Sequence, residues 1–150
     1  MDNFSDIEKC RLAPNDLVLN CVNSFAKIGE SAIYELDMDA IVGFNNYAIT
    51  LDSDACVPHF IHQFCQTYLF RRQLRTVIKE AINQVSFSTK DLNLIRIALP
   101  SINEQHRIAE LVNVIWKKEK TNRRQIDKAQ SLKKSLMQDL LTGKVRVTIN

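Results

Sequence analysis

The apolar positions of the last third of the chain repeat with a helical period and without interruption. Ile108, Ile115, Asn122, Ala129 and Leu136 stand seven residues apart, and Leu111, Val112, Ile126, Leu132 and Leu140 run beside them. A seven-residue step of this kind is the seam of a coiled coil. No Gly or Pro falls between Ser101 and Leu141. The pattern therefore predicts one helix of about 40 residues, roughly 60 Å long at about 1.5 Å per residue. Its ends carry their own signals. Ser101 followed by Glu104 fits a capping box, and Gly143 suits the left-handed residue that closes a helix. Asn122 puts a polar group on the seam, where it can fix register or partner number at some cost in stability. A solvated mid-helix is the plainer reading of the same residue.

Upstream the period changes. Residues 17–22, LVLNCV, read as a strand after the turn signal Pro14-Asn15-Asp16. Residues 31–34, 40–42 and 47–51 are predicted as further strands, the last two separated by Gly43-Phe44-Asn45-Asn46. Pro58 opens a helical stretch with Phe60, Ile61, Phe64, Cys65, Tyr68 and Leu69 on its apolar face. It continues through Arg71, Arg72, Leu74, Arg75, Val77 and Ile78, with a break near Tyr68. Ser88 and Thr89 begin a short helical turn, and residues 95–99 alternate as a strand leading into the long helix. Strands, helices, a last strand and then an isolated helix make an α+β fold: a small mixed α/β domain followed by a long coiled-coil helix.

Composition narrows the function. Apolar residues make up 45% of the chain, enough for a core, and no apolar run is long enough to span a membrane. The first six residues are acidic and do not read as a signal peptide, so a cytoplasmic location is expected. Cys10, Cys21, Cys56 and Cys65 contain no Cys-x-x-Cys pair and read as reduced thiols. The net charge of +3 is unevenly divided. Residues 1–103 carry 9 basic and 12 acidic side chains, and residues 104–150 carry 11 and 5. Lys117, Lys118, Lys120, Arg123, Arg124 and Lys128 concentrate the positive charge in mid-helix. Such a run lies near phosphate, flanks the seam in solvent or meets an acidic partner; composition favours the latter two.

Catalytic patterns are lacking. Cys56-x-x-His59-x-x-His62-x-x-Cys65 has a metal-like spacing, but positions nine apart lie on opposite sides of a helix, so ordinary helix residues are the expectation and no metal or cofactor is predicted. There is no phosphate-cradling glycine loop, nucleophile elbow or carboxylate pair with a nearby His, and the chain is expected not to be an enzyme. Asp52 and Asp54 read as turn formers. For nucleic acid, Arg71, Arg72 and Arg75, with Lys79, gather positive charge on one helical stretch. Asn45, Asn46 and Gln84 sit in predicted loops and carry the donor–acceptor pairs that read base edges. A solvated face and ordinary turn residues are the alternative.

Two phrases flanking the long helix carry a resemblance. Residues 99–109, LPSINEQHRIA, resemble the "LPPLxEQxRIA" phrase of type I restriction–modification specificity (S) subunits. Residues 132–147, LKKSLMQDLLTGKVRV, are similar to that family's "LKxxLMQxLLTGxVRV". Residues 14–18 (PNDLV), 43–46 (GFNN) and 81–88 (AINQVSFS) resemble its "PGDIL", "GxNQ" and "GxTQxxIS" stretches, with Asn15 and Ala81 in place of glycines. The resemblance covers almost the whole chain. It implies a partial target recognition domain at residues 1–100, truncated on its N-terminal side, a spacer and dimerisation helix at 101–142, and a tail at 143–150. It implies double-stranded DNA as a ligand and no catalysis. Its implied partners are methyltransferase (M) and restriction (R) subunits, and a second copy or another specificity subunit packed antiparallel along Ile108, Leu111, Ile115, Asn122, Ile126, Ala129, Leu132 and Leu136. An assembly protein that binds those subunits through the helix without reading DNA is the alternative.

Overall fold

The computed structural model describes residues 10–36, 38–82 and 84–147. Residues 1–9, which include the stretch read as no signal peptide, lie outside the described residues, as does Asn83 of the AINQVSFS phrase. The described chain falls into two units that divide between Ala109 and Glu110.

In the first unit, Leu17 and Leu19 alternate with Val18 and Asn20, and the leucines are buried. That alternation makes β1 (Leu17–Asn20) the centre of an antiparallel sheet. It is flanked by β3 (Ser31–Ile33), with Val18 opposite Ala32, and by β4 (Asn46–Ile49), with Leu19 opposite Tyr47. The strand predicted over 17–22 is broken at Cys21. β2 (Val22–Asn23) leaves the first sheet and joins a second, in the order β2–β6–β5, with β5 (Lys79–Glu80) and β6 (Val85–Ser86). One segment of chain thus serves both sheets. The turn before β1 is sharp: Asn15 has φ +73°, a left-handed conformation that Asn tolerates better than most residues and that suits the glycine of "PGD".

The helical stretch splits as its sequence suggests. α1 (Pro58–Cys65) has Pro at its first turn, and α2 (Tyr68–Val77) restarts at Thr67, whose hydroxyl accepts the Phe70 N–H. Phe70 and Leu74 of α2 are buried with Leu17, Leu19, Cys21, Ile28, Cys65, Val85 and Phe87. Gly29 allows this contact. Its φ is +75°, and a Cβ there would fall 2.4 Å from Leu74 Cδ2. The short helix α3 (Thr89–Leu92) carries a reciprocal capping box between Ser88 and Asp91.

Two predicted strands are absent. Residues 40–42 form only a single bridge, Arg11 opposite Ile41, because Leu12 and Val42 bond Ala40 and Cys10 without extending a ladder. Residues 95–99 alternate but pair with no strand. Instead the amide of Gln73 holds Arg96, accepting its N–H at 2.7 Å and donating to its carbonyl at 2.8 Å. Conversely, residues 81–86, read as a loop, contain β6, and β5 precedes them.

The helix α4 (Ile102–Leu141) begins in the first unit and continues through the second. Its start is fixed mainly by Gln105, which is 1% exposed. The Gln105 amide donates to the Ala55 and Pro100 carbonyls at 2.9 and 3.0 Å and accepts the Val57 N–H at 2.9 Å. One turn on, Gln63 donates to the Ala109 carbonyl at 2.9 Å. Ser101 meets the helix through its carbonyl, which accepts the Glu104 and Gln105 N–H groups. In the second unit, Gly143 takes φ +73° after the last turn, as its position suggests. Leu111, Ile115, Ile126, Leu132 and Leu136 are all exposed. Among the described residues, no helix is long and apolar enough to cross a membrane.

Candidate nucleic-acid interface

Arg71 and Arg75 lie four residues apart on α2 and share a flank beside the buried Phe70–Leu74 ridge. The turn between β2 and β3 passes over that flank, and Phe25 in this turn stays half exposed. The Arg75 guanidinium sits 5.3 Å from the centre of the Phe25 ring, a cation–π contact worth about 0.5–1 kcal/mol when exposed. Arg71 donates to the Ile28 carbonyl at the end of the same turn. Together Phe25, Ile28, Arg71, Leu74, Arg75 and Ile78 line a groove of about 370 Å³.

A second groove of about 350 Å³ opens on the other side of Phe25, lined by Ser24, Glu80, Ile82, Gln84 and Val85. Its wall is the β5–β6 hairpin, closed by the Ala81 N–H donating to the Gln84 carbonyl at 2.8 Å. Phe25 therefore divides two adjoining grooves, one with both arginines and one with Gln84.

The remaining candidates are placed differently. Arg72 is exposed and lines neither groove. Lys79 is 3.2 Å from Asp91, so its charge is paired. Bonds from the Ser88 hydroxyl and N–H, with Lys79 alongside, hold the Asp91 carboxyl at about 2, well below the usual carboxylate range. Asn45 is exposed, and its carbonyl accepts the Cys21 and Val22 N–H groups at 2.8 and 3.3 Å. The Asn46 side chain is engaged, accepting from Asn20 Nδ2 at 3.1 Å. The Phe87 N–H donates to the Cys21 carbonyl at 3.2 Å. The main chain of Cys21 thus lies between the turn that carries Asn45 and the strand that follows Gln84.

Sequence reasoning missed Phe25 and Ile82, two exposed apolar residues that line these grooves. The available signal was an aromatic residue in a polar turn just ahead of Gly29.

The metal-like spacing in α1 resolves into separate contacts. His59 Nε2 is 2.9 Å from Glu35 Oε1, and His62 Nδ1 is 2.9 Å from the Ser31 hydroxyl. Burial, with His59 close by, lowers the His62 pKa and favours the neutral ring. Burial pushes the Cys65 thiol up to about 11, which keeps it protonated and unreactive near neutrality. Among the described residues, no three His, Cys, Asp or Glu side chains come together as a metal site.

No family model matches the chain. It is similar to a protein of Methanocaldococcus jannaschii named "Putative type I restriction enzyme MjaX specificity subunit", at 28% identity over 138 residues. The match takes in 91% of this chain and 32% of the relative, so the chain spans about a third of that protein's length. The phrases around the long helix and this match over nearly the whole chain point to one family, the specificity subunits of type I restriction enzymes.

Proposed function

We propose that this chain is a non-catalytic DNA-recognition module of a type I restriction–modification complex, presenting DNA with the face around Phe25 and pairing through the long helix. The observation that carries the reading is the meeting of Arg71, Arg75 and Gln84 on the two grooves that Phe25 divides. Arginines supply phosphate or guanine contacts, and an exposed amide such as Gln84 matches the edge of adenine. The uncovered leucines and isoleucines of α4 suit a second helix, from another copy or another specificity subunit. Methyltransferase and restriction subunits are the further partners of this reading.

The test is repeated selection from a random duplex pool, followed by anisotropy titration across salt concentrations. The expected result is an enriched sequence. Arg75→Ala should weaken binding to all duplexes and reduce the salt slope by about 0.9 if it contacts one phosphate. Gln84→Ala should relax preference at one position. Weak binding without sequence dependence would overturn the reading.

A second reading is an assembly protein that binds partner subunits through α4 and reads no DNA. The excess of acidic over basic side chains in residues 1–103 favours it, since it opposes non-specific attraction to phosphate. The same titration separates the two.

A further inference from the structure

We propose that Phe44 and Ile82 read thymine, each meeting the methyl group of a thymine in the major groove beside the base edges taken by Asn45 and Gln84. The proposal rests on the DNA-recognition reading above and adds to it the class of base selected.

Two turns of this chain share one pattern. Residues 43–46 read GFNN and residues 81–84 read AINQ: a small residue, a large apolar one, Asn, then an amide side chain. The first closes as a β-turn. The Asn46 N–H donates to the Gly43 carbonyl at 3.0 Å, so Phe44 and Asn45 are its central residues. The second ends the β5–β6 hairpin, where the Ala81 N–H donates to the Gln84 carbonyl. Phe44 is 106% exposed and Ile82 is 100% exposed, more than any other large apolar side chain among the described residues. A single exposed apolar residue is ordinary. Here the two most exposed ones stand at matching places in two turns, where polar residues are favoured.

Their neighbours narrow what meets them. Asn45 is exposed beside Phe44, and Gln84 is exposed two residues after Ile82. Arg71 and Arg75 line the groove that adjoins Ile82 and Gln84 across Phe25. An apolar protein surface would cover the tips but would strip water from these amides and guanidinium groups without replacing it. The major groove of DNA offers a complement to all three chemistries. Phosphates suit the arginines, base edges suit the amides, and the thymine methyl is the apolar group displayed there.

Both tips also hang from one short stretch of chain. The Asn45 carbonyl accepts the Cys21 and Val22 N–H groups, and Asn23 pairs with Val85, the residue after Gln84. Cys21 to Asn23 spans about 7 Å of extended chain at about 3.3 Å per residue, and a duplex rises about 3.4 Å per base pair. The two attachments are therefore about two base pairs apart, and a single groove accommodates both tips.

The test uses the full chain and the duplex enriched by selection. Each thymine is replaced in turn by uracil, which lacks only the methyl group and keeps every hydrogen-bonding edge. Anisotropy titration then reads the affinity. Two thymines are expected to show a loss of roughly fourfold each on replacement, the size of one buried methyl group. Phe44→Ala and Ile82→Ala should each weaken binding to the thymine duplex by at least as much. Each should erase the uracil effect at one of the two positions and leave the other. Both side chains lie outside the core, so unchanged urea midpoints are expected and keep folding out of the comparison. An enriched sequence without thymine, uracil tolerated at every position, or uracil losses that persist in both variants would overturn the proposal. A pool that yields no enriched sequence would sink the recognition reading itself, and this proposal with it.

Discussion

Gln105 offers the sharpest test of how the long helix is rooted. Its side chain makes three hydrogen bonds of 2.9–3.0 Å to main-chain groups of residues 55, 57 and 100, and it is buried almost completely. Gln105→Ala removes all three at once. It strands the Val57 N–H and the Ala55 and Pro100 carbonyls in a space the lost amide leaves behind. The buried Val57 N–H costs about 1–3 kcal/mol when stranded, and the part-buried Ala55 and Pro100 carbonyls, which water can reach, add less, so a total of about 2–4 kcal/mol is expected. Against a usual stability of about 5–15 kcal/mol, that is a large fraction. Urea unfolding at fixed protein concentration reads it directly. With a slope of about 2 kcal/mol/M, the midpoint should fall by about 1–2 M with the slope unchanged. Gln105→Glu makes the control. It keeps an acceptor for Val57 but turns oxygen towards two carbonyls, so its carboxyl pKa should rise in the folded state. Its deficit should then shrink as pH falls and the carboxyl gains a proton. A loss below 1 kcal/mol in the alanine variant would show that water replaces the amide, and the role given to Gln105 would be wrong.

Two further outcomes are expected. Gly29→Ala should destabilise by about 2–4 kcal/mol, since it combines a left-handed φ with a Cβ 2.4 Å from Leu74 Cδ2, whereas Gly43→Ala, whose nearest atom is 3.9 Å away, should stay within about 1 kcal/mol in the same urea assay. Asp91 is held at about 2, below its value of about 3.9 in an unfolded chain, so its contribution is complete above the unfolded value and is lost as pH falls from about 5 to 2. Asp91→Asn should flatten the acid limb of a stability–pH curve, and an unchanged limb would refute the assignment.

What could be read in advance followed local chemistry. The span of α4 was legible because nothing inside it breaks a helix and Gly143 closes it. The break between α1 and α2 was visible because Thr67 is a good cap. The missing strands failed for want of partners: alternation at residues 95–99 is real, but Gln73, some twenty residues earlier, takes the main-chain bonds of Arg96 that a ladder would need. β5 and β6 are two residues each, too short to leave a period. In the candidate interface, Arg71 and Arg75 declared themselves by helical spacing. Phe25 did not, since an exposed aromatic in a turn acquires meaning only when α2 and the β5–β6 hairpin are brought to its two sides. Gln105 was hidden for the same reason, because its partners at residues 55 and 57 lie about fifty positions away.

The placement of Cys21 has a consequence for how this surface changes over time. The turn bearing Asn45 and the strand beyond Gln84 are both tied to the backbone of that one residue, through its N–H and its carbonyl. Main-chain bonds are indifferent to side-chain identity. Phe44, Asn45, Ile82 and Gln84 are all exposed, so exchanging them disturbs neither those bonds nor the core beneath. The chain therefore carries a surface that can be rewritten letter by letter on an unchanging frame, which is the property that the proposed role in recognition would require.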